Sequence, residues 1–331
     1  MKTEIQQRLQ LFVDNTRMLK KGFTWHSMLI RRLAALLYAS ENRQADAEAV
    51  QQCYRLIKES TGVFSTFRSN MSIGIAALLS LSDEPKPLLD NTIKVYDLLK
   101  TYKLRASDYL VVAAYQIASG ANPEKYADIA KRTRAFYDGL KTNHRFYTGQ
   151  DDYIYTAMLG LSDLDVHDGV ENIEKLFQRF KHDFSNKNSI QALSQILVLS
   201  EASNESIERV LALRDSLKAQ KMRYDKAYTL PSLGVLALFP VDNTTILNDL
   251  DESRSFLRSQ KGFGSFSVSQ QELLLYIMGI VASEYLDSAK SDVSTSALST
   301  AITNILIAQQ AAMIAAISAS YTAVAASSSR G

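Results

Sequence analysis

Glycine and proline are scarce, with 13 and 5 in 331 residues. That is too few for the turn-rich loops of a β-sandwich or barrel, and it suits helices joined by short polar turns. Cysteine is nearly absent. Cys53 stands alone, which excludes an intramolecular disulfide and fits a reducing compartment. In VQQCYRLIK it keeps helical spacing from Val50 and Ile57, so it reads as a small buried hydrophobe with nothing around it to mark a nucleophile. A strong charge of either sign is also missing. With 37 basic and 35 acidic side chains the formal net charge is +2, a balance that gives no field to hold a nucleic acid. Short basic runs, Lys20-Lys21, Arg31-Arg32 and Lys131-Arg132-Thr133-Arg134, read as solvated helix faces, with a phosphate- or acid-binding patch as the alternative. The opening stretch, MKTEIQQRLQLFVDNTRMLKK, carries charge every few positions and lacks the apolar core of a secretory signal, so a cytoplasmic product is expected.

Signatures of common chemistry are missing too. No GxxxxGK(S/T) loop, GxGxxG turn or GxSxG elbow occurs. None of the four histidines, His26, His144, His167 and His182, stands at metal-ligand spacing from a cysteine or another histidine, and each reads as a surface or turn residue. The stretch from Asp163 to Gly169, with Glu174, has the outline of a calcium loop. Asp168 occupies the sixth position, where such a loop needs glycine, so a polar turn between helices is the better reading. No cofactor and no metal are expected, and the absence of catalytic motifs leans away from an enzyme.

What is present is a recurring phrase, an apolar helix-like run that closes on a small residue. LAALLYAS ends at Ser40, IAALLSLS at Ser82, VAAYQIAS at Ser119, YTAMLGLS at Ser162, LSQILVLS at Ser200 and LYIMGIVAS at Ser283, with a degenerate copy, GVLALFP, ending at Pro240. The spacings of 42, 37, 43, 38, 40 and 43 residues predict an all-α array of helix hairpins, about seven units of roughly 40 residues, as an open superhelix or solenoid or closing toward a toroid. In each unit one helix is almost uncharged and rich in alanine and glycine, as in Ser72 to Leu79, and must be enclosed by other helices. The next is amphipathic, as where Ile173, Leu176, Phe177 and Phe180 alternate with Glu174, Lys175, Arg179 and Lys181, and should form an outer layer.

The connections from an outer to an inner helix combine aromatic, basic and capping residues: FSTFRSN, YKLRASD, HRFYTGQDD, MRYDKAYTLPS and KGFGSFSVSQQ. In a solenoid they would align along one edge, the first place to look for binding. The candidate cluster there is His144, Arg145, Asp151, Asp152 and Tyr153, joined by His26, Arg68 and Arg105, which all precede their closing serine by 14 residues. Adjacent carboxylates before a helix suit a cap on its N-terminus; beside His, Arg and Tyr they could also serve a cation or acid–base step.

From Val293 to Ser329 no residue is charged. Residues 1–292 are therefore read as one continuous repeat domain, 293–326 as an Ala/Ser-rich helix packed on it or a self-association surface for a homo-oligomer, and 327–331 as a frayed tail. The run is long enough to cross a bilayer, for which about 20 apolar residues suffice. Asn304, Gln309, Gln310 and the want of an aromatic belt or basic flank weigh against membrane contact.

The segment HRFYTGQDDY with its following TAMLGLS helix, the segment KLRASDYLVVAA and the Ala-rich tail resemble a bacterial family of uncharacterised all-helical proteins, domain-of-unknown-function family 4003, over nearly the whole chain. The resemblance implies an all-helical fold and no known activity, substrate or catalytic residue. The first functional expectation is an intracellular scaffold or adaptor that binds a protein or peptide partner. The alternatives are an α/α-toroid enzyme using carboxylates such as Asp151 and Asp152, and an adaptor tethered to a membrane by 293–326.

Overall fold

The computed structural model describes residues 2–23, 27–69, 71–220, 222 and 229–290. His26 and the uncharged run 293–326, with its tail, lie outside the described residues. Among those described there are fourteen α-helices, three short 3-10 turns and no strand. No helix among them is long and apolar enough to cross a membrane.

The helices alternate in character along the chain, and the alternation follows from composition. The odd-numbered helices are amphipathic: α1 (Thr3–Gly22), α3 (Ala47–Ser60), α5 (Pro85–Thr101), α7 (Tyr126–Asn143), α9 (Val166–Phe180), α11 (Asn204–Ala219) and α13 (Asn243–Ser259). In α3 only Val50, Cys53 and Ile57 are buried, and in α11 only Val210, Leu213 and Leu217, one stripe at three- and four-residue steps. The even-numbered helices are α2 (Met28–Ser40), α4 (Ser72–Ser80), α6 (Asp108–Gly120), α8 (Tyr153–Leu161), α10 (Lys187–Leu199), α12 (Thr229–Ala237) and α14 (Gln270–Lys290). They have little or no wet face. Every residue from Ser72 to Leu79 in α4, from Tyr153 to Gly160 in α8 and from Thr229 to Ala237 in α12 is buried.

Capping chemistry sets where helices begin. Asp46 accepts from the Glu48 and Ala49 N–H groups, Ser107 from Leu110, Asn186 from Ser189, Ser203 from Ser206 and Asp242 from Thr245. Asp165 accepts from the His167 and Asp168 N–H groups at 2.8 and 3.1 Å, so the calcium-loop outline is a helix start. Those two bonds, that from Asp168 first, hold the Asp165 carboxyl below the usual carboxylate range. The serine that closes three of the apolar phrases also has a bonding reason. Ser119 Oγ donates to the Gln116 carbonyl, Ser162 to Leu159 and Ser200 to Ile196, occupying carbonyls that a helix end leaves open. Ser283 differs: its hydroxyl bonds the Gly279 carbonyl in the middle of α14, which runs on to Lys290.

The chain divides into two compact units. The first holds residues 15–38 and 45–170. Within it α3 packs on α4, α5 on α6 and α7 on α8, while α6 lies against α8, α3 against α5 and α5 against α7. Buried helices neighbour buried helices, and amphipathic ones neighbour amphipathic ones. The second unit holds residues 2–14, 39–44 and the described residues from 171 on. There α11 packs on α12 and α13 on α14, with α12 between α10 and α14 and with α11 beside α13.

Arginines clasp the carbonyl ends of buried helices in both units. In the first, Arg132 of α7 donates to the Gly160, Ser162 and Leu164 carbonyls at 3.1, 2.8 and 2.6 Å. In the second, Arg209 of α11 donates to Ala237 and Phe239, and Arg8 of α1 to Ala39 and Ser40. A cation there meets both the unpaired carbonyls and the negative end of the helix dipole. Arg8 is itself buried and forms ion pairs with Glu284 at 3.2 Å and Asp287 at 2.7 Å.

Three outcomes follow from this packing. A Cβ on Gly160 would stand 2.4 Å from Thr133 Oγ1 and 2.9 Å from the Ile129 carbonyl oxygen. Gly160→Ala should therefore destabilise the protein by about 1–3 kcal/mol through overpacking, against the roughly 1 kcal/mol that alanine gains in helix propensity. A urea titration followed by circular dichroism reads the sign. Arg8→Met should cost about 3–5 kcal/mol by stranding Glu284, with part recovered when Glu284→Gln is added. Burial raises the Cys53 thiol above its ordinary range. Because folding holds it protonated, its contribution to stability is present at neutral pH and falls as pH rises past the unfolded thiol's value of about 8.5. Native Cys53 should resist alkylation at pH 8 and react at once in urea.

Candidate functional site

The connections into the buried helices of the first unit gather at one end of that layer. The 3-10 turn Thr66–Arg68 before α4 and the 3-10 turn Gln150–Asp152 before α8 both touch α6. The segment before α6 joins them, since the Arg105 N–H donates to the Tyr153 hydroxyl at 3.1 Å.

Each connection is pinned by its own residues. Between α3 and α4, Arg68 reaches back to the Lys58 and Thr61 carbonyls and to Thr61 Oγ1, closing the end of α3. Phe67 is buried edge-on against Tyr96 at 5.2 Å, and Thr66 and Tyr96 share a hydroxyl hydrogen bond of 3.0 Å. Between these anchors Val63 and Phe64 stand in solvent, the phenyl ring fully exposed.

Between α7 and α8 the arrangement is similar. The His144 N–H donates to the Leu140 carbonyl at 2.8 Å, and the His144 carbonyl accepts from the Tyr147 and Thr148 N–H groups at 3.0 and 2.9 Å. His144 is therefore a turn residue closing α7, the second of the two roles its sequence allows, but a buried one, and its ring lies 6.3 Å from that of Tyr147. Asp152, also buried, accepts from the Gly149 N–H at 2.9 Å and closes its own turn, so it is not half of an open carboxylate pair with Asp151, which is half-buried. The exposed tip is Arg145, Phe146 and Tyr147. Tyr153 is buried, bonded to Tyr137 with ring centroids 5.1 Å apart, and Lys141 donates to the Tyr137 hydroxyl at 3.1 Å. Burial, before any neighbour, raises both phenols, so at neutral pH both stay protonated.

In the second unit the connection between α13 and α14 borders a cavity of about 600 Å³ lined by Arg254, Ser255, Arg258, Gly264, Ser265 and Gln270. Arg258 donates to the Phe263 and Val268 carbonyls at 2.9 and 2.8 Å, and burial, then the nearby Arg254, lowers its pKa. Phe263 turns inward against Phe12 at 5.4 Å, while Phe266 stands fully exposed beside the cavity wall. A second cavity, of about 500 Å³ in the first unit, lies by the opposite connections, lined by Asn122, Lys125, Asp128, Arg132 and Asp163 among others.

Of the residues singled out in the sequence, the structure brings Arg105 to Tyr153 and His144 to Tyr147, and turns Arg68 and Asp152 to local caps. Arg105 and Arg145 remain exposed. The sequence shows aromatics in the same segments but does not single out which of them stand in solvent. The large hydrophobic side chains exposed among the described residues are Val63, Phe64, Phe146, Tyr147 and Phe266, and every one lies on a connection into a buried helix. The available signal was an aromatic flanked by glycine, serine or charge where helical spacing has stopped.

The chain is 23% identical over 330 residues to an uncharacterised protein, YeaA, of Bacillus subtilis (strain 168), the match covering 97% of each. No solved structure matches. The family described as protein of unknown function, DUF4003, matches residues 15–312. That span covers most of both units, and the chain belongs to the DUF4003 family.

Proposed function

We propose that this protein is an intracellular helical-repeat adaptor that holds a protein or peptide partner on the apolar tips of its connections. The observation that carries this reading is the placement of Val63, Phe64, Phe146, Tyr147 and Phe266. Isolated exposed hydrophobics are ordinary on a protein surface, but here they are confined to one class of segment. Aromatic side chains flanked by arginine are the composition that protein-binding patches favour: Arg68 and Arg145 stand within a few residues of their tips, and Arg258 bonds the Phe263 and Val268 carbonyls on either side of Phe266.

The repeat is part of the proposal. Seven pairs of one amphipathic and one buried helix, each of about 40 residues, make up residues 1–292 in this reading. Its support is that like helices neighbour like within each unit and that Arg132 and Arg209 repeat the same clasp 28 to 32 residues down the chain. The uncharged run 293–326 is proposed to pack on this body as a helix. The lone, buried Cys53 supports a reducing, cytoplasmic setting.

The test places a photo-crosslinking residue at 64, 146 or 266, and for comparison at the exposed Asn122 beside the opposite connections. In the native host the tip positions should give one discrete protein adduct that position 122 does not, and Phe64→Ser, Phe146→Ser and Phe266→Ser together should abolish it while changing stability by less than about 0.5 kcal/mol each. Equal adducts from position 122 and from the tips, or none from the tips, would reject the reading.

A further inference from the structure

The first turn of α2 holds a charge that no carboxylate among the described residues balances. Arg31 is 6% exposed and its neighbour Arg32 is 4% exposed. Burying a guanidinium is costly unless an acid or several acceptors meet it, and the buried Arg8 shows the usual solution with two carboxylates and two carbonyls. Arg31 has no such set among the described residues. Its Nε is sealed from solvent without an acceptor, and the one charge it senses is Arg32, of the same sign.

Three further facts place this orphan group. No acidic residue stands in the first turn of α2. Helical side chains lean toward the N-terminus, so Arg31 lies over that turn, where the first N–H groups of a helix lack intrahelical acceptors and the dipole is positive. Ser27, whose carbonyl accepts the Arg31 N–H at 3.2 Å, has a buried hydroxyl that is also without a partner. Two orphan donors, one of them cationic, therefore flank a helix start that disfavours cations and favours anions.

We propose that Ser27, Arg31 and the first turn of α2 form a binding site for a small oxyanion, a phosphate or carboxylate group. Either group takes the two parallel N–H bonds of the guanidinium fork and a third from the serine hydroxyl. Bound there, it supplies the missing counter-charge for Arg31, offsets the like charge of Arg32 and satisfies the Ser27 hydroxyl. The Arg31-Arg32 pair, read in the sequence as a solvated face with an acid-binding patch as the alternative, is buried; the alternative is the reading the structure favours.

The experiment is thermal unfolding of the full chain at constant ionic strength, with chloride replaced stepwise by inorganic phosphate in one series and by acetate in another. The melting temperature should rise and saturate with one of the two anions, which names the group. Arg31→Met should melt no lower than the native chain in chloride, because it removes an uncompensated charge, and should lose the anion-dependent rise. Arg31→Lys, which keeps the charge and loses the fork, should shift the midpoint to roughly ten-fold higher anion. The exposed Arg55 provides the control, and Arg55→Met should leave the rise intact. A rise of equal size in Arg31→Met, no rise with either anion, or an Arg31→Met chain several degrees less stable in chloride would each overturn the proposal.

Discussion

The fold rests on one constraint: α4, α8 and α12 have no face that water can occupy. Their side chains are apolar or small all round, and each must be sheathed by other helices. The amphipathic helices meet that demand with one stripe apiece, which is why Val50, Cys53 and Ile57 suffice in α3 while the rest of that helix is wet. Two kinds of helix then sort into neighbours of their own kind within each unit. Close approach is the second half of the constraint, and Gly160 shows it, with the backbone of α7 standing where a side chain would be.

Enclosure creates a polar problem at the helix ends. A buried helix finishes with carbonyls that water cannot reach freely, and the solution used repeatedly is an arginine from the amphipathic helix that precedes it. Arg132 serves three carbonyls of α8 and its exit, and Arg209 serves two at the end of α12. Serine hydroxyls close the remaining bonds from within. Hydrophobic layering and polar termination are thus supplied by the same pair of helices, and a two-helix unit carries both.

Much of this was legible in the sequence because it depends on periodicity and on capping residues, both local. The apolar phrases ending near Ser40, Ser119, Ser162 and Ser200 mark true helix ends, and Ser119, Ser162 and Ser200 each bond the last turn. Ser283 misleads because Glu284 and Asp287 beyond it find Arg8, a partner more than 270 residues away that no local pattern reveals. The candidate site was legible in place and not in content. HRFYTGQDD and FSTFRSN carry the exposed Phe146 and Phe64, whereas the residues singled out there from the sequence are mainly charged. Arg68 and Asp152 are consumed by their own turns, and His144 is buried by a backbone role. What a side chain does in a turn depends on which neighbour claims it first, and spacing does not record that. Phenylalanines 64, 146 and 266 have no such claimant.

The loop between α3 and α4 is fastened by Arg68, which reaches back to the end of α3, and by Phe67 against Tyr96, and neither fastening involves Val63 or Phe64. Mutational drift at the two outward residues therefore leaves the scaffold's folding free energy untouched. In the proposed adaptor, recognition and architecture are then separately heritable traits, and lineages sharing this skeleton are at liberty to diverge in whom they meet.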